Sequence, residues 1–96
     1  MGIKELLHAK RKEILAIADR HGAYNIRVFG SVARGNAGPE SDVDLLIDVG
    51  SNHTPFFPGG LIADLEDLLD RKVDVATEQG LHGFIRDQIL QEAVPL

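Results

Sequence analysis

The sequence predicts a small α+β domain in which a mixed β-sheet carries helices mainly on one face. Apolar residues repeat at helical spacing in three segments, and short runs rich in β-branched residues lie between them. The predicted order is helix, strand, short helical turn, strand, helix, strand, helix, without an internal repeat. A single sheet covered by helices is the simplest way to bury the apolar faces of such elements.

Length and charge limit the classes of function. The 96 residues are expected to form one domain, residues 1–96. The net charge of −5 argues against direct binding of nucleic acid and suits a divalent metal or a basic protein partner. Cysteine is absent, so disulfide and thiolate metal sites are excluded. Charged residues begin at Lys4 and no apolar run approaches the roughly 20 residues of a membrane span, so we expect a cytoplasmic protein.

Three helices are predicted, over residues 3–20, 61–69 and 81–93. The first has a continuous apolar stripe of Ile3, Leu6, Leu7, Ile14, Ile17 and Ala18. It is expected to stop at His21-Gly22, where Gly22 can take a positive φ. The last helix follows Gly80, aligns Leu81, Ile85, Ile89 and Ala93, and is stopped by Pro95.

Strands are predicted over residues 25–30, 42–49 and 73–77, with the third returning beside the second. Alternation along the second strand assigns Val43, Leu45, Ile47 and Val49 to the core. The opposite face then carries Asp42, Asp44, Leu46 and Asp48. Asp48 is interpreted as a surface residue or as the end of the strand.

Two phenylalanines and the four histidines are further candidates for a functional role. In the loop 50–60, Phe56 and Phe57 are interpreted as core anchors, with contact to a nucleotide base or a partner as the alternative. His8, His21, His53 and His82 show no metal-ligand spacing and are expected at the surface.

Three aspartates on predicted strands are candidate metal ligands: Asp42, Asp44 and Asp74. If the second and third strands are neighbours, all three carboxylates can point into one cleft, where they repel each other unless a cation intervenes. Magnesium prefers oxygen ligands, and two such ions can bind the attacking and leaving oxygens of an in-line displacement. The alternative is that each aspartate is a solvated residue at a strand end; Asp-x-Asp after a Gly-Ser turn favours the metal site.

The Gly30-Ser31 pair is a candidate phosphate-binding turn. Gly30 has no β-carbon, so a phosphate can approach its backbone closely. Ser31 offers a hydroxyl and an N–H at the start of a helical turn that ends at Gly35. Arg34 is placed to hold a pyrophosphate leaving group, or alternatively to pair with an acid such as Glu40 or Asp42.

The stretch GSVARG…SDVDLLIDV resembles the minimal nucleotidyltransferase (MNT) family of the DNA polymerase β superfamily. The family pattern of Gly-Ser, ten residues and Asp-x-Asp is met by Gly30, Ser31, Asp42 and Asp44. RKVDVAT resembles the strand that carries the third carboxylate of the family, here Asp74, and the segment LHGFIRDQILQEAVPL is similar to its C-terminal helix. Asp70 departs from the pattern at a turn where many members carry glycine.

The resemblance implies a polymerase-β-like core that transfers AMP from ATP. It also implies that the reaction uses Mg²⁺, as two bound ions. Gly30 and Ser31 would hold the β and γ phosphates, and Asp42 and Asp44 would hold metal. Asp74 would complete the metal site and help to draw the proton from the attacking hydroxyl. The resemblance also implies the antitoxin of a HEPN–MNT toxin–antitoxin pair, which adenylylates a tyrosine of the HEPN toxin.

Two other functions stay open at this point. In the first, the chain neutralises a toxin by binding to it, and catalysis is incidental. In the second, the chain transfers a nucleotide to a small molecule. The predicted elements use the whole chain, so no residues remain for a domain that presents an acceptor. A folded protein acceptor that brings part of its own binding site therefore fits best.

Overall fold

A computed structural model describes residues 2–38, 41–53, 55 and 57–96. Its elements are α1 (Ile3–Ala9), α2 (Arg11–Arg20), β1 (Ala23–Phe29), α3 (Gly30–Arg34), β2 (Val43–Val49), α4 (Gly59–Leu69), β3 (Val73–Thr77), α5 (Gly83–Glu92) and β4 (Val94–Pro95). A 3-10 turn, Glu78–Gly80, joins β3 to the segment before α5. The predictions for Phe56 and for Glu40 as a partner of Arg34 fall outside the described residues.

The sheet is mixed, as predicted, and has the strand order β3-β2-β1-β4. β2 pairs antiparallel with β1 and parallel with β3, and β4 pairs antiparallel with β1. A parallel pair needs a crossover connection, which α4 supplies between β2 and β3. The prediction that the third strand returns beside the second is confirmed.

The main core lies between one face of the sheet and helices α1, α2 and α4. Val43, Leu45 and Ile47 of β2 are buried there, as the alternation predicts. The helices contribute Ile3, Leu7, Ile14, Ile17, Ala18, Leu61, Leu65 and Leu69. Phe57 packs against this cluster, which agrees with its interpretation as a core anchor. No helix of the described residues is long and apolar enough to cross a membrane.

The aspartate face of β2 is not simply solvated, because Leu46 on that face is 0% exposed. Its partners across the sheet are Arg27 in β1 and Ala76 in β3. Arg27 is held by Asp48 and Glu78, each with an N–O distance of 2.9 Å. Asp48 therefore lies at the end of β2, as one of its two predicted placements has it, and is half-buried in an ion pair with Arg27.

Several boundaries differ from the predictions for local physical reasons. The predicted helix 3–20 is divided at Lys10, whose φ of −100° and ψ of 8° separate α1 from α2. The first strand begins at Ala23 and contains a bulge between Tyr24 and Arg27, where Asn25 has a φ of 51°. Such a bulge interrupts the alternation that is read from sequence.

His21 corrects the expectation that all four histidines lie at the surface. Its side chain is only 13% exposed, and its Nε2 lies 2.7 Å from Oδ2 of Asp64. The other three histidines are exposed. The contact joins the end of α2 to α4, so it supports the packing of these two helices.

The C-terminal segment differs most from the prediction. α5 has no fully buried residue. Of the predicted apolar stripe, Ile85 is 61% exposed, and Leu81, Ile89 and Ala93 are only half-buried and lie outside the core cluster. Phe84, beside the stripe, is 75% exposed. β4 was not predicted, because two residues that include a proline carry no strand pattern. It pairs with Arg27 and Val28 of β1 and so ties the end of α5 to the sheet.

Left-handed backbone occurs at the turns where glycine was expected to permit it. Gly22 and Gly35 have φ values of 82° and 81°, which confirms both as helix stops. Asp70 ends α4 with a φ of 52° and a ψ of 44°. Asp70 therefore has a β-carbon in a left-handed conformation that glycine, which many family members carry here, adopts without strain.

Replacing Asp70 by glycine is expected to stabilise the protein. The relief of the left-handed strain exceeds the extra chain entropy of glycine, for a net gain of about 0.5 kcal/mol and a Tm rise of about 2–4 °C. Asp70→Ala is the matched control and is expected to lower the Tm, because alanine tolerates this backbone less well than aspartate. Thermal unfolding followed by circular dichroism measures both, and equal Tm values would contradict the account.

Candidate functional site

The sheet register brings two of the predicted metal ligands together. Asp44 in β2 lies directly opposite Asp74 in β3. On its other side, Asp44 is opposite Phe29, the last residue of β1 before Gly30. Asp42 lies just before β2 and is half-buried. The Gly-Ser turn and the aspartates therefore meet at one edge of the sheet.

The electrostatics of this edge centre on Asp44. Burial raises the pKa of its carboxyl, and the charges of Asp74 and Asp42 raise it further, with a smaller contribution from Glu92. Arg34 acts in the opposite direction. A carboxyl whose pKa is raised by like charges marks a place where negative charge is incompletely compensated.

This donor set fits Mg²⁺ in its chemistry. All three aspartates offer oxygen ligands, and a divalent cation would relieve the repulsion that acts on Asp44. In the described part of the chain, however, no three acidic or histidine side chains stand close enough to hold a metal as they are. Of the three predicted ligands, Asp44 and Asp74 are therefore neighbours across β2 and β3. The three carboxylates do not form a ready-made metal site in the described part of the chain.

Gly30 occupies a position that only glycine fits. Its φ is +73°, and a β-carbon built on it would overlap Oδ2 of Asp44 and lie 3.2 Å from Cγ of the same residue. The backbone at the Gly-Ser turn thus passes directly over the Asp44 carboxylate. Ser31 follows it, half-buried, in α3.

Glu92, at the end of α5, was not identified from the sequence. Its Oε1 accepts a hydrogen bond of 2.8 Å from the Gly30 N–H. Arg34 Nη1 donates to both carboxylate oxygens, at 3.1 Å to Oε2 and 3.3 Å to Oε1. Among the described residues, Glu92 and not Asp42 is the acidic partner of Arg34. The contact spans 62 residues, so no local pattern indicates it.

A cavity of about 620 Å³ opens beside this contact. It is lined by Phe29, Gly30, Arg34, Gln88, Ile89, Gln91 and Glu92. Its volume is in the range of sites that bind small molecules and cofactors. None of the three aspartates lines the cavity, but Gly30 and Arg34 do, so the cavity adjoins the turn whose backbone lies against Asp44.

A mixed sheet with paired acidic residues beside a Gly-Ser turn is the arrangement of nucleotide-transferring enzymes. The chain belongs to the nucleotidyltransferase family, since the nucleotidyltransferase domain matches residues 11–96.

Curated relatives agree with this assignment. The chain is 36% identical over 92 residues to protein adenylyltransferase MntA of Thermococcus cleftensis, covering 96% of this chain and 90% of that one. It is 34% identical over 94 residues to MJ0435 of Methanocaldococcus jannaschii, provisionally named a protein adenylyltransferase, with 98% and 97% covered.

Solved structures share the fold. One, provisionally described as a minimal nucleotidyltransferase, has a TM-score of 0.83 and 46% identity, with 96% of this chain and 94% of that chain covered. A second, described as a toxin–antitoxin with AMP-PNP, has a TM-score of 0.73 and covers 88% and 69%. Because its sequence identity is 19%, this similarity shows a shared fold and nothing further.

Gly30→Ala is expected to destabilise the protein by at least about 1 kcal/mol, through left-handed strain and overlap with Asp44. Gly59→Ala is the control, because a β-carbon there meets nothing within 4 Å. That variant is expected to match or exceed the wild-type Tm, since alanine favours a helix. Similar melting curves for the two variants would contradict the proposed fit of glycine over Asp44.

Asp44→Asn is expected to stabilise the metal-free protein at neutral pH. The pKa of Asp44 is raised in the folded state from its ordinary value of 3.8, so the folded state loses stability as the pH rises through that raised pKa. Removing the charge should raise the Tm at pH 7 by a few degrees, and the gain should vanish below pH 3.8. Thermal melts in EDTA across this pH range measure it.

The control for this experiment is Asp67→Asn, which neutralises an exposed aspartate on α4. It is expected to change the Tm little at any pH, because isolated surface substitutions have small effects. A lower Tm for Asp44→Asn at pH 7, or a difference from wild type that does not depend on pH, would contradict the electrostatic account.

Proposed function

We propose that the protein is a Mg²⁺-dependent nucleotidyltransferase that transfers AMP from ATP to a hydroxyl of a partner protein. The observation that carries the proposal is the register of Asp44 opposite Asp74 directly beside Gly30. It supports a site in which carboxylates and a phosphate-binding turn act on the same group. The adenylyltransferase names of the relatives favour AMP as the transferred group and a protein as the acceptor.

Each residue of the site has a proposed role. Asp42, Asp44 and Asp74 would hold Mg²⁺, which when bound neutralises charge on the phosphates and lowers the pKa of a coordinated hydroxyl. Gly30 and Ser31 bind the β and γ phosphates through the backbone and the hydroxyl. These contacts hold the triphosphate in line for displacement at its α-phosphorus.

The proposed reaction is an in-line displacement at the α-phosphorus, in which the protein supplies a proton acceptor and a cation for the leaving group. The acceptor hydroxyl oxygen forms a bond to the α-phosphorus, and the bond from that phosphorus to the bridging oxygen of the β-phosphate breaks. Asp74, exposed at the edge of the sheet, receives the proton of the hydroxyl. Pyrophosphate leaves with the negative charge, and Arg34 stabilises it with charge-assisted hydrogen bonds.

We further propose that the acceptor is a tyrosine of a cognate HEPN toxin and that the chain is its cytoplasmic antitoxin. Asp74 is exposed, so a side chain presented by another protein can reach it. The likeness in fold to the solved toxin–antitoxin is consistent with an antitoxin role. The second candidate is an antitoxin that neutralises by binding alone, which the exposed Phe84 and Ile85 of α5 favour.

Incubation of the chain with its cognate toxin, Mg²⁺ and ATP labelled at the α-phosphate tests the proposal. Label is expected on a toxin tyrosine, located by mass spectrometry, and EDTA is expected to abolish it. Asp42→Asn or Asp44→Asn should reduce labelling by about 100-fold or more, since each would remove a metal ligand. Asp48→Asn is the matched control on the same strand and should retain labelling, because Asp48 pairs with Arg27 instead.

Three results would redirect the assignment. Toxin neutralisation that survives Asp42→Asn and Asp44→Asn, without any label, would establish binding as the antitoxin mechanism. Label transferred to a small hydroxylated compound by the chain alone would establish the small-molecule reaction. Label on a serine or threonine would retain the reaction and overturn the tyrosine.

A further inference from the structure

We propose that Glu92 is an internal competitor for the triphosphate of the nucleotide, bound to the groups that the phosphates would use. The inference rests on the proposed function, in which Gly30 and Arg34 contact the phosphates of ATP. In this structure both groups are bound by the Glu92 carboxylate. Nucleotide binding at this site therefore requires that the end of α5 release them.

The contact has the form of anion recognition. One carboxylate oxygen receives the Gly30 N–H at 2.8 Å, and both oxygens face Arg34 Nη1. An N–H and a guanidinium that converge on two oxygens of one anion would bind two oxygens of a phosphate in the same way. The Glu92 side chain is 25% exposed, so it is half-enclosed at the mouth of the adjoining cavity.

Release of Glu92 needs little disruption elsewhere. α5 buries no residue, and its large apolar side chains Phe84 and Ile85 are mostly exposed. Segments with few buried contacts open at low free-energy cost. Ala93, extended with a φ of −65° and a ψ of 133°, follows Glu92 and precedes β4, which stays paired with β1. The last turn of α5 can therefore swing while the chain beyond it remains attached.

The competition has a defined effect on affinity. When the binding-competent form is only a fraction of the protein, the apparent Kd is the intrinsic Kd divided by that fraction. Glu92 also adds negative charge beside Asp44, which disfavours a polyanion until the carboxylate withdraws. Return of Glu92 to Gly30 and Arg34 would then help pyrophosphate to leave.

Glu92→Gln tests the proposal, because it removes the charge and keeps the size of the side chain. The variant is expected to bind ATP with Mg²⁺, and inorganic tripolyphosphate, about three- to ten-fold more tightly than the wild type. Affinity for AMP, which lacks the β and γ phosphates, is expected to stay unchanged. Isothermal titration calorimetry measures all three ligands.

Asp87→Asn is the matched control. It removes the same charge from an exposed residue of the same helix that takes no part in the contacts of Gly30 and Arg34. Its affinities should equal those of the wild type, so a gain shared by both variants would overturn the proposal in favour of a general charge effect. A wild-type measurement guards against misfolding: tripolyphosphate should shift the NMR signals of the Gly30 and Ala93 amides together.

The outcomes separate this inference from the proposed function. Binding of ATP that is unchanged or weaker in Glu92→Gln overturns the competition and leaves the nucleotide site in place. Tighter tripolyphosphate binding with no ATP binding by either protein supports the competition and overturns the proposed function. Absence of binding for both ligands in both proteins overturns both.

Discussion

The parallel pairing of β2 with β3 is the constraint on which the site depends. It fixes Asp44 opposite Asp74 on neighbouring strands, which lie about 4.8 Å apart in a sheet. Two like charges at that spacing oppose folding unless protonation, a cation or a basic group compensates them. The core opposes separation, because Val43, Leu45 and Ile47 on the other face of the same strand are buried. Apolar packing thus holds the carboxylates in a register that they would not adopt unaided.

Gly30 connects this constraint to the proposed phosphate site. The backbone passes over the Asp44 carboxylate so closely that a β-carbon would overlap it. Any group bound by the Gly30 N–H is therefore close to the carboxylates, and the short helix α3 places Arg34 on the same side. One turn of five residues joins the acidic and the basic halves of the site. A short segment of a small domain therefore supports both the carboxylates and the basic Arg34.

The parts of the fold that were predictable are those encoded by local patterns. The apolar stripes of α2 and α4, the alternation in β2 and the glycines at 22 and 35 each specify structure within a few residues. The proximity of Asp44 and Asp74 could be predicted because β3 was expected to lie beside β2. The bulge at Asn25 and the division at Lys10 were missed, because each depends on one residue in a backbone conformation that its neighbours do not signal.

The contribution of the C-terminal segment was not predictable from local patterns. A helix with an apolar stripe is normally expected to bury that stripe, yet Ile85 of the predicted stripe and Phe84 beside it remain exposed. The helix is positioned instead by polar contacts of Glu92 with α3 and by the two residues of β4 that pair with β1. An ion pair of 3.9 Å between Arg86 and Glu78 also holds it. A sequence pattern records which side chains favour burial, but it does not record a single carboxylate that meets an amide 62 residues away.

The exposed Phe84 and Ile85 lie at the start of α5, and Glu92, which contacts Gly30 and Arg34, lies at its end. α5 has 10 residues and is about 15 Å long at the usual rise of a helix. A protein that covered Phe84 and Ile85 would bury apolar area there and hold α5 in one orientation. If that orientation withdraws Glu92, partner and nucleotide favour the same state, and each raises the affinity for the other by the same factor. Weak packing of α5 is then the property that links acceptor docking to nucleotide binding.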